Sequence, residues 1–266
     1  MRILSIVILA ALSIPVSLLA QTASQPSQNL MPPTSSTLAA PSLPPLPPPR
    51  FIAPQDVDLA RALPPFPSTG SFAEQADLET MLALQIRRTK AEEGDAAADS
   101  VTTMVDFTKK LLGPSVTPTS HPKLFAMMQS LHDDMRGINR AANAAQGFRP
   151  RPTVHDPRIR PSLDMLGHAP ASYPSARASS SGVWAYVIGE LIPAQKANAE
   201  AEAERVAWRR VVGGVHYPSD LAGSRRVIAA VKQRLANTPA FMAKLAEVRA
   251  ELASPVKGGG STLPTR

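Results

Sequence analysis

Apolar residues at Leu124, Met128, Leu131, Met135 and Ile138 step by four, three, four and three along the chain. Those steps keep all five on one face of a 3.6-residue helix and scatter them over both faces of a strand. A stripe this long must be covered by neighbours, so the segment predicts a buried helix within a multi-helix core. Its methionines read as core packing, not as a cofactor box. Related spacing recurs elsewhere. Phe72, Leu78, Leu82 and Ile86 predict one helix, followed by a polar connection from Glu92 to Asp99. Val101, Val105 and Leu112 predict a second, closed by Gly113-Pro114, and Val183, Val187 and Leu191 another, closed by Pro193. Leu221, Ile228, Val231 and Leu235 form a stripe, after which Thr238-Pro239 gives an N-cap with proline at the first helical position. Phe241, Leu245, Val248 and Leu252 then mark a last helix, and no segment alternates as a strand. The expected fold class is all-α.

The ends of the chain have a different composition. Met1-Arg2 precedes an apolar run from Ile3 to Ala20, with small residues at Ala20 to Ala23. This reads as a secretory signal peptide over 1–20, cleaved at about 20–23. A membrane anchor is the weaker reading, because the run is only marginally long enough to span and contains Pro15. Residues 21–61 read as a Pro-rich linker, with nine prolines between Gln21 and Arg50. One helical domain is expected over 62–254, and Gly258-Gly259-Gly260 marks 255–266 as a flexible tail. There is no cysteine, hence no disulfide framework and no lipoprotein attachment point. A periplasmic protein with no membrane association after cleavage is expected, and a homo-oligomer is left open. The net charge of +7 becomes +6 once Arg2 is removed. With aromatics at 5% of residues, and no nucleic-acid motif, that charge suits small phosphate esters better than a nucleic-acid polymer.

The chemistry concentrates between Arg209 and Asp220. Arg210 lies six residues before His216, and Asp220 four residues after it. A helix ending near Arg210, a turn at Gly213-Gly214 and a restart near Pro218 would bring the three groups together. Arginine offers a fixed, charged fork for an oxyanion. Histidine can act as the nucleophile of a phosphoryl transfer, and a carboxylate on its other nitrogen orients it. Asp220 also reads as a helix-start acid. No metal and no cofactor is expected, since only His216 carries ligand-like spacing.

Arg-x5-His-x3-Asp also resembles the third signature block of the type 2 phosphatidic acid phosphatase superfamily, which includes vanadium haloperoxidases and bacterial class A non-specific acid phosphatases. Arg151-Pro152 matches the end of the first block, Lys-x6-Arg-Pro, and Tyr173-Pro174-Ser175-Ala176-Arg177 stands where the second reads Pro-Ser-Gly-His. The interval from Tyr173 to Arg210 is similar to that of the class A acid phosphatases without a gap. The flanks Leu63-Pro64-Pro65 and Asn237-Thr238-Pro239-Ala240-Phe241 extend the likeness over about 62–254. The resemblance implies a compact helical bundle with its anion pocket at loops and helix N-termini at one end. It implies His216 as nucleophile, Asp220 as its orienting acid, and Arg151, Ser175, Arg210 and Arg177 as phosphate-binding residues.

Four residues, at three places, depart from the family pattern. The block-one lysine is Ala144, the Gly-His of block two is Ala176-Arg177, and the serine before Arg210 is Arg209. In the family the second-block histidine protonates the leaving alcohol, which an arginine cannot do near neutral pH. Arg177 and Arg209 are candidates to restore the positive charge missing at Ala144, although Arg177 could equally point into solvent. His155 and His168 are candidates for a relocated acid, against an ordinary loop role; His121 and His132 show no partner pattern and are assigned no function. Two readings remain. One is an exported acid phosphatase working through a phosphohistidine and impaired by these losses. The other is a catalytically degenerate member of the family that binds phosphate or a related oxyanion.

Overall fold

The computed structural model describes residues 45–163 and 171–254. The signal segment, the Gly-rich tail and His168 lie outside the described residues. Ten α-helices run through the described chain: α1 (Leu59–Ala62), α2 (Phe72–Arg87), α3 (Lys90–Val101), α4 (Met104–Leu112), α5 (Pro122–Gln146), α6 (Pro152–His155), α7 (Ala176–Leu191), α8 (Lys196–Val212), α9 (Pro218–Ala236) and α10 (Pro239–Ala253). Among the described residues β-pairing is limited to one isolated bridge, Pro150 to Ala171. The architecture is all-α.

The α5 stripe is the centre of the core. Leu124, Met128, Leu131, Met135 and Ile138 are all fully buried. They pack in one cluster with Val183 and Val187 of α7, Val227 and Val231 of α9, and Phe241 and Leu245 of α10. The buried face of α8 is built from small residues, Ala199, Ala203 and Ala207, which let α7 approach closely. α7 itself is buried on nearly every side, so it shows almost no amphipathic stripe, and Gly182 leaves room for Ile228 of α9.

Some sequence expectations give way here. Glu92 to Asp99 is not a connection but the body of α3, opened by a capping box in which Glu92 Oε2 accepts the Thr89 N–H at 2.8 Å. Phe72 and Ile86 are 91% and 82% exposed; α2 instead turns Leu78, Met81 and Leu82 inward against Val211, Tyr217 and Leu221. Val101 ends α3 in solvent, while Phe107 and Leu112 seat α4. Thr238 does precede α10, but its hydroxyl donates back to the Arg234 carbonyl and caps no N–H of α10. Upstream, Ile52, Val57 and Leu59 are buried, and Asp134 accepts the backbone N–H groups of Arg50, Phe51 and Ile52. Packing therefore reaches into the Pro-rich stretch before residue 62.

Candidate active site

The end of α8 and the start of α9 form a tight corner. Gly214 takes φ +77°, a left-handed conformation that ends α8, and the N–H groups of Val215 and His216 both return to the Arg210 carbonyl. Pro218 then occupies the first turn of α9. Asp220 sits one turn in, where its Oδ2 accepts the Tyr217 N–H at 2.9 Å and faces His216 Nδ1 at 3.2 Å. Capping the helix and orienting the histidine are one act of the same carboxylate.

Arg151, just before α6, donates from Nη1 to the Val215 carbonyl at 2.9 Å and to His216 Nε2 at 3.0 Å. A guanidinium has no acceptor, so Nε2 must present its lone pair and the proton belongs on Nδ1, facing Asp220. Burial is the main force holding the His216 pKa down, to about 4; the charge of Arg151 acts in the same direction and the Asp220 hydrogen bond opposes it. Above that pH the ring is neutral, with its free electron pair on Nε2.

Arg210 is 2% exposed, and its Nε and Nη1 have no hydrogen-bond partner among the described residues. Unpaired guanidinium donors are costly to bury and mark a place for an anion. Burial, then the charges of Arg177 and Arg151, lower its pKa to about 9, which leaves it charged through the acidic and neutral range. Arg151, Arg177, Arg210 and His216 share one cavity of about 610 Å³, with no carboxylate in its lining among the described residues. That volume suits a small organic ligand, not an ion alone. Ala176 and Arg177 bring the first turn of α7 to the cavity wall. Ser175 is fully buried beneath them; its Oγ caps the Ala178 N–H, and its carbonyl accepts from Ser224 of α9.

The substituted positions find different settings. Arg177 does not point into solvent: Nη1 and Nη2 donate at 2.7 Å to the carbonyls of Thr102 and Ser100, at the end of α3. Arg209 does not supply charge to this cavity. Successive helical residues point about 100° apart, so with Arg210 facing the cavity, Arg209 faces α3 and pairs with Asp99 at 2.7 Å and Asp95 at 2.8 Å. It lines a separate cavity with Arg88 and Trp208. Ala144 is exposed, and the cavity is met one residue earlier, at Asn143. His155 faces Glu74 at 3.5 Å, away from the cavity lining.

Two features lie outside the site residues expected from the sequence. Arg149 is buried, lies over the Tyr217 ring at 3.7 Å, and donates to Asp220, Ser219 and Asp77. The second is the polar stripe Gln129, His132, Arg136 and Asn143 on α5, which walls the cavity with Trp184 of α7. Its three-, four- and seven-residue spacing runs beside the apolar stripe and was a readable signal.

No family model matches the chain. It is 28% identical over 165 residues to the non-specific acid phosphatase of Salmonella typhi, covering 61% of this chain and 64% of that protein. The non-specific acid phosphatase of Salmonella typhimurium strain LT2 is similar to the same extent. The chain thus spans just under two thirds of the length of these relatives. Over that stretch it is homologous to bacterial non-specific acid phosphatases, in agreement with the class A resemblance of its motif blocks.

Proposed function

We propose that this protein is an exported phosphomonoesterase that transfers the phosphoryl group of a small ester to His216 and then to water. The observation that carries the reading is the arrangement at His216, whose Nε2 lone pair faces Arg151 while Nδ1 faces the Asp220 carboxylate. The ester enters with its phosphate between Arg210, Arg151 and the first turn of α7. Arg151 then exchanges its bond to Nε2 for one to a phosphate oxygen, which frees the lone pair for attack on phosphorus. The P–O bond to the alcohol breaks, and Asp220 stabilises the positive ring that forms. Water attacks the phosphohistidine, the P–N bond breaks, and His216 recovers its electron pair. Arg210 brings unpaired donors to the equatorial oxygens, where charge grows in the transition state. Ser175 acts with them by fixing the first turn of α7.

Export rests on the apolar run Ile3 to Ala20 and the Pro-rich stretch that follows it. No helix among the described residues is long and apolar enough to cross a membrane.

A second reading, an oxyanion-binding protein without turnover, draws on Arg177, whose guanidinium is anchored to carbonyls at the place of the family's general acid. Purified protein assayed on p-nitrophenyl phosphate from acidic to neutral pH, beside His216→Ala, separates the two. Turnover that vanishes in the variant supports the phosphatase. Inorganic phosphate binding by folded wild-type protein, without turnover, supports the binding protein.

A further inference from the structure

Resting on the phosphatase reading, we propose that His132 is the proton donor to the leaving oxygen, taking the part that Arg177 cannot play. Among the described histidines, His132 and His216 line the cavity, whereas His121 bonds Ser120 and His155 faces Glu74. His132 projects from α5, on the wall formed with α7, so it approaches from a different element than the corner that carries His216.

The ring is held in a definite orientation. It lies on Trp184 with centroids 5.7 Å apart and planes 36° apart, and Trp184 is itself seated on Phe107 at 5.7 Å. His132 Nδ1 is sealed in the protein without a partner among the described residues. The ring is only partly buried, so Nε2 is the nitrogen left to meet the cavity. The charged groups that act on the ring are Asp133 and Arg136 of α5 and Arg177 of α7. Burial lowers its pKa from the ordinary value, with Arg136 and Arg177 acting in the same sense and Asp133 against it. A phosphate ester in the cavity brings negative charge that favours the protonated ring again.

The step balances. As His216 Nε2 bonds to phosphorus, the leaving oxygen takes the electron pair of the breaking P–O bond and the proton from His132 Nε2. Neutral His132 then accepts a proton from the water that attacks the phosphohistidine, and both histidines return to their starting forms.

Proton donation matters most for a poor leaving group, so the test is the ratio of activities on β-glycerol phosphate and p-nitrophenyl phosphate. Both substrates are measured on one preparation, which cancels the amount of folded enzyme. In His132→Gln we expect alkyl activity to fall by about 10² to 10³ and aryl activity by less than about 10-fold. In His132→Ala, added imidazole should restore the alkyl activity. His168→Gln should leave the ratio unchanged. An unchanged ratio in His132→Gln overturns the proposal, and so does a collapse of the ratio in His168→Gln. In both cases the phosphatase reading stands if His216→Ala still abolishes aryl hydrolysis. Wild-type protein inert on both substrates, or hydrolysis insensitive to His216→Ala, sinks the phosphatase reading and this proposal with it.

Discussion

Arg149 donates from Nη1 to Oδ1 of Asp220 at 2.7 Å, while Oδ2 of the same carboxylate faces His216 Nδ1 at 3.2 Å. The arginine therefore fixes which edge of the carboxylate meets the histidine. It is anchored by Asp77, by Ser219 and by the face of Tyr217, and both Arg149 and Asp220 are buried. Removing one partner of such a pair leaves a buried charge uncompensated, at a cost of about 3–5 kcal/mol.

Arg149→Met should consequently lower the stability of the protein by about 3–5 kcal/mol, read by urea unfolding. In the fraction that remains folded, kcat should fall while KM changes little, because Arg149 orients Asp220 and stands behind the cavity wall. A variant with wild-type stability and kcat would remove Arg149 from the orienting chain.

His216 gives the activity its acid limit. Its pKa is held down to about 4, chiefly by burial, so the nucleophile is neutral above that pH and lost to protonation below it. The profile of kcat/KM for p-nitrophenyl phosphate should fall on the acid side near this value. The same shift bears on stability. A histidine depressed in the folded state contributes stability that is present above its unfolded pKa of about 6.5 and lost as pH falls through the folded one. His216→Asn should flatten the decline of Tm over that window; an identical decline would assign acid sensitivity to other groups.

Arg210 and Arg177 should separate into binding and architecture. Arg210→Ala removes unpaired donors and should weaken inorganic phosphate binding by roughly 10- to 100-fold, consistent with about 1.5–3 kcal/mol for a charge-assisted hydrogen bond. Arg177→Met releases the carbonyls at the end of α3 and should act mainly on Tm, with a smaller effect on phosphate affinity. Calorimetric titration and thermal melts of both variants distinguish this pattern from one in which the two arginines bind phosphate alike.

Gly214 makes a prediction of its own. Its φ is +77°, and a β-carbon added there would stand 3.2 Å from the Pro161 Cα, so a side chain would meet both backbone strain and crowding. Gly214→Ala should destabilise the corner by about 1–2 kcal/mol and reduce kcat, because the same corner sets the distance between Arg210 and His216. Unaltered Tm and kcat would show that the corner tolerates another conformation.

Much of this architecture could be read from spacing. The α5 stripe, the α9 and α10 stripes and the Arg210–His216–Asp220 run are local patterns, and each maps onto one helix or one turn. α3 was hidden because alanines and acids dominate it, although its Thr89-x-x-Glu92 box was present in the chain. Phe72 and Ile86 misled because hydrophobic character says nothing about whether a facing element exists. The role of Arg149 depends on Asp77, Ser219, Asp220 and Tyr217, and the setting of Arg177 on carbonyls from another helix. Such long-range partnerships leave no periodic mark. His132 does fall on a periodic polar stripe of α5, but its meaning lies in the cavity it shares with His216, which that spacing does not show.

The central claim is a covalent phosphoryl group on His216, and trapping it is the most direct measurement. Enzyme mixed with excess p-nitrophenyl phosphate, quenched in alkali within milliseconds and digested, would be analysed by mass spectrometry for a phosphoryl adduct on the peptide carrying His216. The expected result is an adduct that appears at early times, decays as substrate is exhausted, and is absent from His216→Asn. Turnover without an adduct on that peptide, or an adduct that persists in His216→Asn, would contradict the assignment of His216 as the nucleophile.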